Sequence, residues 1–239
     1  MSIDDEQYIR SFRDFYSFEQ HVSTCRKRRG LEMVPQWYEV PVFYFSNCCS
    51  LVHDQEEIVI PSPSVELDFE LELGLVIGKK GRDISPEDSW DYVAGLTIVN
   101  DFSARDLQRQ EMQVGLGPAK GKDFATAVGP ELVLWEDLRD RLDEKGNLQL
   151  EMKAFLNGKQ ISHGNAKDMY YSWPQLIAHA SRNVTLYPGD LLGSGTVGTG
   201  CILELGPETT GGWLTAGDEI TLEIEGLGQL TNRIVEKSN

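Results

Sequence analysis

The sequence has little cysteine, no excess of basic residues and no long apolar run. Its four cysteines show no C-x-x-C spacing, which disfavours a zinc knuckle or a disulfide framework and favours reduced thiols. The net charge of -16 disfavours nucleic acid and anionic membrane surfaces as partners. No basic and apolar leader opens the chain, and no apolar run of about 18 residues occurs. We therefore expect a cytoplasmic protein that is neither secreted nor membrane-spanning.

What the sequence does contain, from Trp37 onward, is mostly the pattern of β-strands. Helices are predicted at only two places there, from residue 103 to about 111, with a capping-box-like pair Ser103 and Asp106, and from about 174 to 182. The pattern predicts a strand-dominated α+β fold. Strands are predicted at residues 40–45, 67–77, 92–99, 148–156, 191–193, 201–205 and 219–225.

The first 36 residues are polar and charged with scattered aromatic residues, and they predict a helical segment. We expect this segment, residues 1–36, to precede a catalytic domain at residues 37–239. Its basic stretch, residues 26–29, has two interpretations. It is either a solvated helix face or part of a mobile cover that brings positive charge to an anionic substrate, since such covers come from the less stable parts of a chain.

The segment 67–73 alternates acidic and apolar residues. Because a strand repeats every two residues, Asp68, Glu70 and Glu72 would share one face. The same pattern fits an ordinary half-buried strand with a wetted face. The apolar residues 74–77 favour a strand through the interior, where carboxylates need a cation or basic partners. Such hard oxygen ligands favour a divalent metal, with Mg²⁺ preferred and Mn²⁺ or Ca²⁺ as alternatives.

A second acidic position stands at a predicted strand-to-helix corner. Asp101 follows the apolar run 96–99, and Arg105 and Gln108 share one face of the helix that comes next. These three side chains could reach one site at the end of the sheet. Alternatively, Asp101 only satisfies backbone amides at the start of the helix.

The pattern leaves the function of two further features open. The glycine-rich segment 115–126 lacks the Walker spacing, so it is not a phosphate loop. It is either a plain flexible loop or one that brings Lys122 to a developing negative charge. Periodicity alone does not choose a catalyst among the histidines, which are His21, His53, His163 and His179.

Several of these segments together resemble the signature of the fumarylacetoacetate hydrolase family. The E-x-E of residues 70–72 and the N-D-x-S-A-R-D of residues 100–106 carry the resemblance, and residues 14–21 resemble the family's D-F-Y-x-x-x-x-H element. Further matches follow at residues 116–126, 188–196 and 203–205. The resemblance covers residues 12–235 and implies the family's C-terminal catalytic domain, a mixed β-roll or β-sandwich with few helices that forms homodimers. It also implies that the small β-barrel domain of the family's type enzyme is absent.

The resemblance further implies a role for each matching residue. It implies a metal site formed by carboxylates, a general base oriented by a second acid, and donors that stabilise an oxyanion. The implied metal ligands are Asp14, Glu70, Glu72 and Asp101. The implied catalytic residues are His21 as the base, Glu204 as its orienting partner, and Arg105, Gln108 and Lys122 around the oxyanion. The implied substrate contacts are Tyr16, Tyr44, Thr196 and Arg29.

The activity implied by the resemblance is metal-dependent hydrolysis of a carbon–carbon bond in a small anionic diketo acid, as in aromatic catabolism. One alternative uses the same metal for decarboxylation or isomerisation of oxaloacetate-like or homoprotocatechuate-pathway acids. Another is a β-protein that binds a divalent cation without catalysis. Asn47 stands where the type enzyme has an arginine for the substrate carboxylate, so the sequence disfavours fumarylacetoacetate itself. The arginines at 26–29 could supply that contact instead.

Overall fold

The computed structural model describes residues 9–144 and 146–237. Residues 1–8 of the predicted helical segment, and the last two residues of the predicted catalytic domain, lie outside the described part. The described strands are β1 (Ser11–Phe15), β2 (Phe43–Ser46), β3 (Leu51–Val52), β4 (Glu57–Val59), β5 (Leu67–Asp68), β6 (Leu71–Ile77), β7 (Gly81–Arg82), β8 (Val93–Asp101), β9 (Ser103–Ala104), β10 (Thr126–Val128), β11 (Val133–Leu134), β12 (Glu151–Leu156), β13 (Lys159–Asn165), β14 (Thr185–Leu186), β15 (Asp190–Gly193), β16 (Glu219–Ile224) and β17 (Gly228–Val235).

Helices are fewer and mostly short. They are α1 (Glu19–Arg28), α2 (Arg105–Val114), α3 (Trp135–Leu138), α4 (Trp173–Ser181), α5 (Ile202–Leu205) and α6 (Pro207–Thr210). Single turns of 3-10 helix lie at Pro35–Tyr38, Ser89–Tyr92, Arg139–Arg141 and Ala166–Asp168. The prediction of a strand-dominated α+β fold is confirmed. Helix α4 begins as predicted, because Ser172 and Gln175 form a capping box and Pro174 stands in its first turn.

Two sheets organise the molecule. The larger has eight strands in the order β2-β1-β15-β6-β8-β10-β3, with β11 also paired to β8, and it curls into a half-barrel. The smaller has the order β13-β12-β16-β17-β4. Most neighbouring strands are antiparallel, while β1 with β15, β10 with β3 and β17 with β4 are parallel.

The structure differs from the sequence prediction in the N-terminal segment. Ser11–Phe15 lies in the region predicted to be helical, yet it is strand β1 inside the large sheet, where it pairs with both β2 and β15. Within residues 9–36 of that segment, only Glu19–Arg28 forms a long helix. The alternation of buried aromatic residues with charge in Ser11–Phe15 fits a strand as well as a helix, and the sheet on both sides decides between them. The domain boundary at residue 36 stays a prediction.

Two other local predictions were wrong. Of the predicted strand at residues 201–205, Ile202–Leu205 is helix α5 instead. Asp68 and the Cys201 sulfur accept hydrogen bonds from backbone N–H groups at the start of that helix. Ser103 and Asp106 do not form a capping box. The Ser103 hydroxyl donates to the Asp101 carbonyl from strand β9, and Asp106 accepts from Ser64 and the Val65 N–H.

The main hydrophobic core joins both sheets to helix α4. Every residue of β6 is buried, and helix α4 buries Trp173 together with its apolar face. Burying one such large apolar side chain contributes about 1.5–3 kcal/mol. The core holds strands β6 and β15 in one register, with Gly74 opposite Gly193. This register fixes the end of the sheet at which the charged residues gather. Core residues from the different elements include Leu71, Leu73, Leu75, Met152, Trp173, Leu176, Ile177, Leu222 and Leu230.

Candidate active site

A cavity of about 310 Å³ opens at one end of the large sheet. Register brings its acidic residues together there, since Asp14 on β1 lies beside both Gly193 and Tyr44, and Asp101 at the end of β8 lies beside Thr126. Eleven of the thirteen predicted site residues line the cavity. They are Asp14, Tyr16, His21, Arg29, Tyr44, Glu70, Glu72, Arg105, Gln108, Lys122 and Thr196. The other two are one hydrogen bond away, Glu204 on His21 and Asp101 on Lys122.

Four buried carboxylates form the acidic wall of this cavity. Oxygen atoms of Asp14, Glu70 and Asp101 lie within 4.8 Å of one another. Glu72 completes the group beside Asp14, and the Thr196 hydroxyl donates to it at 3.4 Å. Burial together with the negative charge of Asp101 raises the pKa of Asp14 to about 8. Burial and the nearby Asp14 likewise raise the pKa of Glu72, so this cluster needs a cation to hold all its charges.

The donor set of this cluster fits a divalent metal. Three buried carboxylate oxygens receive no hydrogen bond from any described residue, unless Asp14 and Glu72 share a proton. These atoms are Asp14 Oδ1, Glu72 Oε2 and Asp101 Oδ1. Orphaned, buried carboxylate oxygens are costly unless a cation pairs with them. Gly193 allows the close approach, because a Cβ there would lie 2.9 Å from Glu72 Oε2 and closer still to Asp14. Four carboxylates are hard ligands, suited to Mg²⁺, Mn²⁺ or Ca²⁺.

Two buried cations border the acidic wall. Lys122 donates to Glu70 at 2.5 Å and to Asp101 at 2.6 Å, and Arg105 donates to Glu70 at 2.7 Å. Although burial pushes the pKa of Glu70 upward, Lys122 and Arg105 outweigh it, so the net shift is downward. Burial opposes the charge on Lys122, but Asp101 and Glu70 raise its pKa and keep it an ammonium. The site therefore carries fixed positive charge next to the predicted metal ligands.

Asp68 has a different role from the one its place in the sequence pattern predicts. It does not join the carboxylates of the cavity wall. Its Oδ2 accepts from Arg105 Nε at 2.8 Å, and its two oxygens accept the N–H groups of Ile202 and Leu203. The strand is interrupted between β5 and β6, so the three carboxylates do not continue along one regular face. Asp68 thus fixes Arg105 and the start of helix α5, while Glu70 and Glu72 face the cavity.

On the other side of the cavity, His21 and Glu204 form a buried pair. His21 Nδ1 lies 3.0 Å from Glu204 Oε2, and the two residues come from helices α1 and α5. Burial disfavours the charged imidazole, but Cys201 and Glu204 outweigh it and raise the pKa of His21 to about 10. The hydrogen bond leaves Nε2 as the nitrogen that can exchange a proton with a substrate. Tyr16 packs edge-on against the ring at 5.6 Å.

The remaining predicted contacts surround these two groups. Tyr44 OH donates to Asp101, and burial together with that carboxylate raises the pKa of Tyr44 well above its usual value. Gln108 accepts from Arg105 at 3.1 Å, which leaves its amide N–H groups for a ligand. Asn47 is used in the turn after β2, where it donates to Ser50 and the Asp123 carbonyl.

The basic stretch 26–29 divides between the two interpretations offered by the sequence. Arg26 and Arg29 line the cavity, so their charge faces any anion bound there. Arg28 instead donates to the carbonyls of Glu204 and Leu205, tying helix α1 to helix α5. Whether these arginines move with a cover stays a prediction.

Sequence reasoning missed three residues beside this site. Cys25 and Cys201 flank His21, with sulfur atoms 3.8 and 3.9 Å from Nδ1. Cys25 follows His21 by four positions on helix α1, a spacing that predicts a shared face. Cys201 could not be placed, since its neighbour in space is 180 residues away in sequence. Gly193 was also missed, because no local pattern shows that its Cα lies under Asp14.

Comparison with known proteins agrees with this fold. A family model described as fumarylacetoacetate (FAA) hydrolase C-terminal matches residues 10–235. The chain belongs to the fumarylacetoacetate hydrolase family, and thus to an enzyme superfamily.

Two curated relatives are named as oxaloacetate tautomerases. The mitochondrial oxaloacetate tautomerase Fahd2a of Rattus norvegicus is 37% identical over 198 residues, which cover 82% of this chain and 59% of the relative. Oxaloacetate tautomerase YisK of Bacillus subtilis is 38% identical over 187 residues, which cover 77% of this chain and 56% of the relative. The chain therefore spans less than two thirds of the length of either protein.

Solved structures share the fold over nearly the whole chain. The 5-carboxymethyl-2-hydroxymuconate delta-isomerase of Mycobacterium smegmatis superposes with a TM-score of 0.75 at 25% identity, covering 97% of this chain and 81% of that one. The fumarylpyruvate hydrolase of Pseudomonas aeruginosa, solved with Mn²⁺ and pyruvate, superposes with a TM-score of 0.76 at 24% identity, covering 96% and 91%. The second similarity concerns the fold alone. Among the described residues, no helix has the length and apolar character needed to cross a membrane.

Proposed function

We propose that this chain is a divalent-metal-dependent enzyme that interconverts the enol and keto forms of an oxaloacetate-like 2-oxo acid. The observation that carries the proposal is the buried His21–Glu204 pair, in which His21 lines the same cavity as three of the four carboxylates, Asp14, Glu70 and Glu72. A base held beside a metal site can move a proton at the carbon next to a carbonyl. The similarity to two proteins named oxaloacetate tautomerases supports this reaction over the hydrolysis expected from the sequence.

The metal proposed at Asp14, Glu70, Glu72 and Asp101 would polarise the 2-oxo group and offset the charge of the substrate. Although burial lowers the pKa of His21, Cys201 and Glu204 raise it to about 10, so the neutral imidazole is the minor form, and in that form Nε2 takes the proton from C3 as the C2–C3 double bond forms. Lys122 and Arg105 stabilise the negative charge that develops on the C2 oxygen, which then takes a proton from water. In the reverse direction His21 returns a proton to C3, and Glu204 holds the ring in position throughout.

The walls of the cavity suit a small anion. Arg26 and Arg29 lie at the cavity, and Gln108 presents its amide beside Arg105. A carboxylate remote from the metal can be paired by these groups, which supply directional N–H donors. This arrangement supplies the anion contact that the asparagine at position 47 does not make.

The test uses oxaloacetate with Mg²⁺ or Mn²⁺, followed by decay of the enol absorbance and by deuterium exchange at C3 in D₂O. We expect both rates to rise in proportion to protein concentration, with release of pyruvate and bicarbonate no faster than with the metal alone. His21→Gln should remove most of this increase, by about 100-fold or more. His163→Gln is the matched control, because His163 is an exposed histidine distant in sequence from the dyad, and it should keep the full rate.

Hydrolysis of a carbon–carbon bond is the second candidate, and the same pair favours it. A base oriented by a carboxylate can also take a proton from water, so His21 could generate the nucleophile for a diketo acid. Acylpyruvates and fumarylpyruvate, assayed in parallel, distinguish the two reactions. Release of pyruvate from them with no enzyme-dependent exchange of oxaloacetate would replace the tautomerase proposal with the hydrolase. If neither reaction responds and metal binding persists, the chain is a cation-binding protein without catalysis.

A further inference from the structure

We infer that His21, Cys25 and Cys201 form a second metal site, selective for a thiophilic cation such as Zn²⁺, and that its occupation switches the enzyme off. The ligand atoms of these three residues lie within 4.8 Å of one another, and all three side chains are buried. Neither thiol transfers a proton in the proposed reaction, in which the imidazole is the base. The site shares no residue with the hard carboxylate cluster.

The spacing of the donor atoms fits a tetrahedral zinc ion. Zinc bonds of about 2.3 Å to sulfur and about 2.0 Å to nitrogen, at tetrahedral angles, separate a sulfur from a nitrogen by about 3.6 Å. In the structure, His21 Nδ1 lies 3.8 Å from the Cys25 sulfur and 3.9 Å from the Cys201 sulfur. The Cys25 sulfur is also 3.9 Å from Nε2, so the imidazole and the thiol must both turn before they point at one ion.

The sequence spacing is also that of paired ligands on helices. His21 and Cys25 are four residues apart on α1, so their side chains share one face of that helix. Cys201 immediately precedes α5 and approaches from the opposite side. Two ligands from one helix and one from another element resemble the way in which zinc sites are assembled from separate short motifs. Thiolate and imidazole donors select zinc over the Mg²⁺ that the carboxylates favour.

An entry route and a functional consequence follow from the same geometry. His21 and Cys25 line the cavity, so an ion can reach them through the substrate opening. Binding releases the two thiol protons and the proton on Nδ1, and it takes Nδ1, the atom now 3.0 Å from Glu204. The hydrogen bond that orients the base is then lost, and a cation occupies the position next to the substrate. We therefore expect one equivalent of Zn²⁺ to inhibit the enzyme even when Mg²⁺ is in excess.

The experiment begins from the Cys48→Ala/Cys49→Ala chain, which removes the other two thiols, kept reduced by a phosphine. Cd²⁺ is added in excess Mg²⁺, and the thiolate-to-metal charge-transfer absorbance is followed together with activity. We expect one Cd²⁺ per chain, with activity lost over the same range and regained when a chelator selective for soft metals is added. Zinc-edge X-ray absorption on the unmodified chain should count two sulfur ligands.

Cys25→Ala in the same background is the decisive variant. It should lower Cd²⁺ affinity by more than about 100-fold, since even outer-shell partners of a metal are worth 10–100-fold, while the Mg²⁺-dependent rate is kept. Cys201→Ala provides a second variant if the first does not fold. An unchanged charge-transfer band in either variant, or no band in chain whose thiols are reduced, would overturn the proposal. Because neither thiol takes part in the proposed reaction, these outcomes are separate from those that test the tautomerase itself.

Discussion

The acidic wall of the cavity and the surface beside the smaller sheet both carry several charged residues. The charged residues of the wall are buried, whereas those beside the sheet are exposed to water. In the cavity, Lys122 is buried between Glu70 and Asp101. Beside the smaller sheet, Arg141 in a 3-10 turn pairs at 2.6 Å with Glu225, the residue after β16, while both side chains stay more than 40% exposed. Water screens the exposed pair of Arg141 and Glu225, but it does not screen the buried contacts of Lys122. Charged residues of the same kinds therefore contribute a large free energy only where the fold removes water.

The largest effect expected from this comparison follows from removing the buried ammonium. Lys122→Met leaves Glu70 and Asp101 without their shared donor, and we expect the unfolding free energy of the metal-free protein to fall by about 3–5 kcal/mol. Urea denaturation measures it. Lys120→Met is the matched control, since Lys120 is 74% exposed and pairs only with Asp123. Equal midpoints for the two variants would show that the buried ion pairs contribute little.

A smaller effect is expected from changing the backbone beneath the carboxylates. In Gly193→Ala, the new methyl group meets Asp14 and Glu72, so metal affinity should fall by about 10–100-fold although every ligand remains. Calorimetric titration with Mn²⁺ measures the affinity. Gly74→Ala is the control, because a methyl group there meets only apolar carbons of Val99, Leu191 and Thr97. It should cost stability and leave the affinity intact, and the same loss of affinity in both variants would contradict the account.

The pH dependence of stability should differ between the metal-free and metal-bound protein. Burial and Asp101 raise the folded-state pKa of Asp14 to about 8, whereas it is about 4 in an unfolded chain. The stability this group contributes is therefore full below about pH 4 and lost as the pH rises through about 8. Mg²⁺ binds the ionised carboxylates, so it should raise the melting temperature more at about pH 9 than at about pH 6. A pH-independent increase would argue against binding at Asp14.

The smallest effect on stability is expected from removing the exposed ion pair beside the smaller sheet. Arg141→Ala removes the exposed pair with Glu225, and we expect no measurable change in the unfolding midpoint or in metal affinity. Urea denaturation and Mn²⁺ titration are the measurements. A large loss of stability would mean that burial does not determine how much an ion pair contributes to stability.

The sequence predicted the parts of the fold that local pattern determines. Strand β6 and helix α4 carry their own signals, an apolar run and a capping box with proline. Strand β1 and helix α5 were predicted wrongly, because the partners that decide them come from remote segments. In the first case these are β2 and β15, and in the second the carboxylate of Asp68.

The candidate site shows the same division. The resemblance to a family identified the thirteen residues, and the fold brings all of them to one cavity or within one hydrogen bond of it. Their roles stay predictions. Cys25 and Cys201 were not identified as neighbours of the site, and Asp68 was predicted to share a face with Glu70 and Glu72. The contacts of Asp68 with Arg105 and of Cys201 with His21 join distant parts of the chain. Packing against remote residues is information that periodicity does not contain.

The most direct test of the central claim is the binding of Mn²⁺ to the wild-type chain and to Glu72→Gln, followed by the loss of the electron paramagnetic resonance signal of the free ion. The glutamine of this variant keeps the shape of Glu72 but loses its charge. In the wild-type chain, Thr196 is the one described side chain that donates a hydrogen bond to Glu72. The account predicts one Mn²⁺ per wild-type chain and a fall in affinity of more than about 100-fold in the variant. Equal binding by both chains would show that the cation does not sit among these carboxylates.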